Sequence, residues 1–269
     1  MNSSEFYLLA KKQFPFEPTL KQDIVLQQLS DFIFDTSPNL LYVLKGYAGT
    51  GKTTIVGAIV NNLWKAKKSP ILLAPTGRAA KVMSTYSSNE AFTIHKKIYM
   101  PKQNKNGNVD FVMQINKHKK TIFIVDEASM ISDLPSQSKL FGSGSLLDDL
   151  MQYVYSGHQC KLILIGDTAQ LPPVKLDLSP ALNERQLALS YNKEVIKMEL
   201  DEVMRQGQDS GILMNATLLR ETLLSSSYDS FKFDLRGYKD IVRLIDGYEI
   251  MDAINDAYST LGNEDTAII

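Results

Sequence analysis

One cysteine and three histidines among 269 residues leave little room for thiolate or imidazole chemistry. Cys160 has no second cysteine to pair with, so a disulfide within the chain and a thiolate zinc cluster are both excluded. It precedes the run KLILIGD and reads as a small buried hydrophobe. None of the histidines has a partner at metal-ligand spacing. No apolar run approaches the roughly 18–20 residues of a membrane helix. The N-terminal stretch MNSSEFYLLAKKQFPFEP has no continuous apolar core of the secretory kind. The expectation is a cytoplasmic protein with no membrane partner. A formal net charge of −1 gives no global sign of nucleic-acid binding. The charge is uneven, however: seven lysines (Lys96, Lys97, Lys102, Lys105, Lys117, Lys119, Lys120) stand against one carboxylate, Asp110, between His95 and Lys120.

What is abundant is short β-branched apolar runs alternating with helical patterns. LLYVL (40–44), ILLA (71–74), TIFIV (121–125) and KLILI (161–165) read as buried strands of a parallel sheet. TTIVGAIVNNLWKA reads as a helix between the first two, and Pro18–Gln22 opens another, QDIVLQQLSDFIF. The pattern predicts a doubly wound α/β fold with ligand sites at the carboxyl ends of the strands. Residues 99–120 carry Asn106-Gly107 between two short extended stretches, a β-hairpin signal. Residues 133–145 read as a flexible polar loop before the helix LLDDLMQYVYSG. After DEVMRQ the chain reads as helix (GILMNATLLRETLL), Ser-rich loop, strand (DIVRLI) and helix (YEIMDAINDAYSTLG). TAII then begins an apolar strand at the last residues, which favours a truncated chain over a natural terminus.

Three strand ends carry chemistry. The first is GYAGTGKTT, in which Gly46-x4-Gly51-Lys52-Thr53 has the spacing of a phosphate-binding P-loop. Glycines there let successive amide N–H groups converge on an anion, and the helix that follows adds the positive end of its dipole. Lys52 then reaches the outer phosphates and the Thr53 hydroxyl a Mg2+ ion. The dinucleotide fingerprint fails, because Thr54 stands where its third glycine belongs. The second is IVDEASM, whose Asp126 suits Mg2+ and whose Glu127 suits polarising the attacking water. The third is LIGDTAQLPPV, whose Gln170 can touch both the γ-phosphate and that water, with Pro172-Pro173 stiffening the turn beyond.

Taken in order, GYAGTGKTT, APTGRAAKVM, FTIHK, IVDEASM, LIGDTAQLPPV and ELDEVMRQ make the chain resemble a superfamily 1 DNA helicase of the RecD/Dda-like branch, over about Thr19–Gln206. The resemblance implies a RecA-like P-loop NTPase domain, a central parallel sheet flanked by helices, with a small inserted β-hairpin. It divides the chain into a first motor domain, 1–205, with the hairpin at about 99–120, and opening elements of a second, 206–269. It implies ATP and Mg2+ as cofactors and translocation, 5′ to 3′, on single-stranded DNA or at a duplex junction.

Carried onto this sequence, the resemblance assigns Gln22 to adenine. It places the loop residues Gly46, Ala48, Gly49, Thr50, Gly51, Lys52, Thr53 and Thr54 around the phosphates. Asp126 and Thr53 hold Mg2+, Glu127 is the base, Gln170 the sensor and Arg205 an arginine contact to the γ-phosphate. Pro75, Thr76, Arg78, Lys81, Thr93 and His95 line the DNA track, and Phe111 or Tyr99 either stacks on a base or holds the hairpin together. The family's later motifs are missing, so the chain by itself is expected to bind ATP better than it turns it over. The alternatives are a nucleic-acid-binding ATPase without unwinding and a regulatory switch. Against a GTPase switch, NKEV (192–195) lacks the aspartate of the guanine-selecting N-K-x-D.

Overall fold

A computed structural model describes residues 1–103, 107–135, 140–202, 210–224, 231–262 and 266. The chain divides into two compact units, Met1–Met204 and Arg205–Ile269.

The first unit begins with helices α1 (Ser3–Lys12) and α2 (Leu20–Phe34), followed by strand β1 (Leu40–Gly46) and α3 (Lys52–Val60). Both leading helices start at capping boxes. In α1, Asn2 and Glu5 exchange side-chain and backbone bonds, and in α2 Thr19 and Gln22 do the same. The chain continues through β2 (Ser69–Ala74), α4 (Gly77–Ser87), β3 (Ala91–Thr93) and the short α5 (Ile94–Ile98). A hairpin, β4 (Tyr99–Gln103) and β5 (Val109–Met113), leads to β6 (Thr121–Val125), α6 (Leu146–Tyr155), β7 (Lys161–Gly166), α7 (Glu184–Tyr191) and β8 (Glu194–Leu200).

The main sheet runs β3-β2-β6-β7-β1-β8, every neighbouring pair parallel. Its central strands β1, β2, β6 and β7 are largely buried on both faces, and alternate residues feed two separate cores. Tyr42, Leu44, Ile122, Ile124, Ile163 and Ile165 pack under α1, α2 and α3. Leu41, Val43, Phe123, Val125, Leu162 and Leu164 pack against α5, α6 and α7 on the other side. This two-sided burial is why the strands read as unbroken apolar runs rather than alternating ones.

Three sequence expectations change. The paired strands of the hairpin end at Met113, and Gln114 ties the returning chain to Ile98 and Lys97 instead of extending the ladder. The segment expected to be a polar loop is pinned near its end: Phe141 stacks on Phe111 with ring centroids 4.6 Å apart. DIVRLI is not a strand. Residues 241–245 are irregular, and Val242 and Ile245 are largely exposed. An extended segment needs a sheet neighbour to satisfy its backbone, and the described residues of the second unit hold two helices, α8 (Gly211–Leu224) and α9 (Gly247–Thr260), with no strand. The Asp240 carboxylate instead caps α8 through Ser210, Gly211 and Ile212. Residues 267–269 of TAII and the Asn106 of the hairpin turn lie outside the described residues.

Candidate phosphate site and its neighbours

The carboxyl ends of β1, β6 and β7, adjacent in the sheet, bring the three chemical motifs together. After β1 the loop turns through Gly49 (φ +77°) and Gly51 (φ +88°), both left-handed. A side chain at Gly51 would also collide with the Gln22 amide, 2.5 Å from where its Cβ would lie. Gln22 is buried beneath the loop. Its Nε2 donates to the Thr50 carbonyl (3.0 Å), while its Oε1 accepts from the Thr19 amide (3.0 Å). Thr50 is buried as well, its hydroxyl donating to the Tyr47 carbonyl (2.8 Å). Ala48, Gly49 and Thr53 are exposed, with Thr54 partly so. The first amides of α3 have no intrahelical acceptor, as at any helix start, and its N-cap Gly51 offers no side chain to cap them.

Lys52 folds over its own loop, its Nζ donating to the carbonyls of Gly46 (2.6 Å) and Tyr47 (2.8 Å). Burial lowers its pKa from the usual ammonium range, opposed by Asp167, Asp126 and Glu127. One cation thus lies in the field of three carboxylates from two neighbouring strand ends.

Both Asp126 oxygens are held. Oδ1 accepts from the Glu127 amide (2.9 Å) and Oδ2 from the Tyr86 hydroxyl (2.8 Å). Tyr86 sits near the end of α4, and burial first, then Asp126, raises its pKa. Glu127 has left-handed backbone (φ +54°), uncommon for a residue with a side chain and the kind of strain that gathers at working sites. Burial and the neighbouring Asp126 push its carboxyl up, partly offset by Gln170 and Lys52. Gln170 is itself oriented, its Oε1 accepting from the Ser129 hydroxyl (2.9 Å). Asp167, in the same motif as Gln170, is buried beside them. A cavity of about 310 Å³ joins Asp126, Glu127 and Gln170 to Thr76, Arg78 and Val82 on the first turns of α4.

The residues expected along the DNA track fall on the ends of two adjacent strands, since Ala74 is in register with Thr93. Arg78 and Lys81 are exposed on α4, and Pro75 is partly exposed. The Thr76 and Thr93 hydroxyls cap α4 and α5, accepting from Ala79 and Lys96. His95 is half-buried against Tyr99 and Phe141. Tyr99 itself is buried, with its hydroxyl 2.6 Å from Asp149, and Phe111 is stacked, so both hold the root of the hairpin together. Arg205 lies outside the described residues.

Sequence reasoning missed Tyr86, Ser129 and Asp167. The motif containing Gln170 pointed to Asp167; nothing local pointed to Tyr86, forty residues from its partner.

Comparison with known proteins defines the class. The family model AAA_30, described as an AAA domain, matches residues 32–228, and the chain belongs to this family of P-loop proteins. Within it, the likeness to RecD- and Dda-type helicases stands, and the chain is a helicase-like P-loop ATPase domain. It is 30% identical over 177 residues to the ATP-dependent RecD2 DNA helicase of Deinococcus radiodurans, covering 65% of this chain and 21% of that protein. It is 32% identical over 166 residues to the ATP-dependent DNA helicase dda of Enterobacteria phage T4, covering 60% of this chain and 34% of that one. An uncharacterized protein of Methanocaldococcus jannaschii is 32% identical over 162 residues, 55% of this chain and 13% of its own. The chain thus spans about a third or less of the curated relatives it matches. A crystal structure of Pif1 helicase from Candida albicans aligns with 90% of this chain and 54% of its own, at a TM-score of 0.49 and 20% identity. Among the described residues, no helix is long and apolar enough to cross a membrane.

Proposed function

We propose that this chain binds Mg-ATP at the Gly46–Thr54 loop and, within a DNA helicase, couples its hydrolysis to 5′ to 3′ movement along single-stranded DNA. The carrying observation is the convergence of Lys52, Asp126, Glu127 and Gln170 at adjacent strand ends, beside a helix that bears Arg78 and Lys81. Relatives named as ATP-dependent DNA helicases support the reading. The residues fit the nucleotide: two left-handed glycines clear the approach to the loop, and a partly desolvated lysine stands among acids suited to a metal.

In this reading Lys52 leaves its own carbonyls for the outer phosphates, and Thr53 and Asp126 hold the metal. Mg2+ supplies charge neutralisation for the phosphoryl group in transfer. Glu127 takes a proton from the attacking water, a role suited by a carboxylate whose basicity is raised. Gln170, steadied by Ser129, orients that water, and Arg205 remains the proposed arginine contact to the γ-phosphate. Pro75, Thr76, Arg78, Lys81, Thr93 and His95 follow the strand, where phosphate contacts fix the path without reading sequence. Gln22 remains the proposed adenine contact. Gln22→Ala should lose preference for ATP over GTP; equal losses for both would leave it a brace of the loop.

The test is hydrolysis and unwinding by the natural full-length protein on substrates tailed at either end. Single-strand-stimulated hydrolysis with unwinding from a 5′ tail supports the proposal. Stimulated hydrolysis without strand separation would favour a nucleic-acid-binding ATPase, and hydrolysis indifferent to DNA would overturn the motor reading.

A further inference from the structure

At the opposite end of the sheet, the strands begin in a second basic pocket that the phosphate site does not use. Its cavity of about 450 Å³ lies where β2, β6 and β7 start, and it is lined by Lys67, Lys68, Lys120 and Lys161 together with Ser37 and Asp35. Strands of five to seven residues separate it from the Gly46–Thr54 loop by about 20 Å.

Two of these lysines are drawn out of water. Lys161 is only 5% exposed; its Nζ donates to the carbonyls of Phe32 (2.5 Å) and Asp35 (2.8 Å) and lies over the Phe32 ring. Burial brings its pKa down to about 8, opposed by Asp35 and reinforced by Lys68. Lys68 is lowered by burial and then by Lys120. Lys68 thus lies between two like charges, Lys161 and Lys120, at the cavity. Among the described residues no carboxylate forms an ion pair with Lys67, Lys68, Lys120 or Lys161. Asp35, the one carboxylate in the lining, turns an oxygen to the Ser37 amide (2.6 Å). Lys67, Lys120 and Gln159, on three separate turns around the cavity, hold left-handed backbone that side-chain-bearing residues uncommonly adopt.

Lys161 and Lys68 are drawn into the pocket while Lys67 and Lys120 stand exposed at its mouth, and holding like charges this close in a concave site is costly unless an anion relieves it. We propose that this pocket binds a compact multivalent phosphate, the di- or triphosphate chain of a small molecule, at a site separate from the nucleotide loop. Ser37 and Thr36 supply further donors at its rim, and Pro38 and Ala66 give one apolar wall suited to whatever organic group the phosphates carry. The inference does not rest on the helicase reading.

The experiment is calorimetric titration with pyrophosphate at low salt, in Lys52→Ala protein alone and with each pair of lysine substitutions added to it. Because pyrophosphate also suits the P-loop, the reference is Lys52→Ala, in which that site is disabled. Lys52→Ala protein should retain one pyrophosphate site. Adding Lys68→Ala and Lys120→Ala should weaken that site at least tenfold, and Lys68→Arg with Lys120→Arg should preserve it. In wild-type protein the Lys68→Ala/Lys120→Ala pair should leave binding of a Mg-ATP analogue to the loop unchanged, which also shows that the fold survives. Competition by ATP in the Lys52→Ala protein would assign a nucleoside-borne chain; failure to compete would assign a free anion or another carrier. No pyrophosphate binding once Lys52 is removed, or binding indifferent to the two alanines, overturns the proposal.

Discussion

Replacing Tyr86 with phenylalanine keeps the ring and deletes one hydroxyl, the group 2.8 Å from Asp126 Oδ2. The other Asp126 oxygen would stay fixed by the Glu127 amide, so the carboxylate would keep one anchor and lose the one that sets its rotation. A hydrogen bond to a charged group contributes about 1.5–3 kcal/mol, and second partners of metal-binding groups change affinity by about 10–100-fold. The half-saturating Mg2+ concentration for binding a non-hydrolysable ATP analogue should therefore rise about tenfold or more. Nucleotide affinity without Mg2+ should stay within about twofold, because Lys52 and the loop amides are untouched. The assay is fluorescence titration across Mg2+ concentrations, with thermal unfolding of the ligand-free protein as a control. An unchanged Mg2+ midpoint, or a loss that is the same with and without Mg2+, would refute the assignment of Tyr86 as the positioning residue for Asp126.

In the ligand-free protein Glu127 should take up its proton at a higher pH than an ordinary glutamate, since burial and Asp126 raise it. A carboxyl titration followed by NMR that puts it at or below the usual glutamate range would contradict this. Arg78→Glu or Lys81→Glu should weaken single-strand binding whatever the sequence and flatten its salt dependence by about 0.7 for each phosphate no longer neutralised. Unchanged affinity and slope would remove α4 from the track. Gly51→Ala forces a side chain into left-handed backbone at about 1–2 kcal/mol and against the Gln22 amide. Its denaturation midpoint should drop accordingly, and an unchanged midpoint would mean that the loop rearranges freely.

The four central strands were legible because helices cover both faces, leaving no polar alternation to blur the runs. Strand β8 was not: KEVIKMEL exposes charged residues on an edge strand and shows no continuous apolar run. The three residues of β3 carry too little pattern to read, and α1 announces itself only through the Asn2–Glu5 exchange. DIVRLI carries strand composition without a neighbouring strand among the described residues, and composition alone did not make one. Within the site, residues with a fixed spacing along the chain were readable: the loop, the acid pair and Gln170. Tyr86 and the bracing contact of Gln22 to Thr50 depend on tertiary approach, and no spacing encodes them.

The account turns on whether the Lys52 cluster is a nucleotide site, and equilibrium binding of a Mg-ATP analogue to wild-type and Lys52→Ala protein tests that most directly. Removing the cation proposed to reach the outer phosphates should weaken binding at least tenfold, more than the loss of its bonds to the Gly46 and Tyr47 carbonyls lowers the unfolding midpoint. Equal affinities in the two proteins would contradict the account.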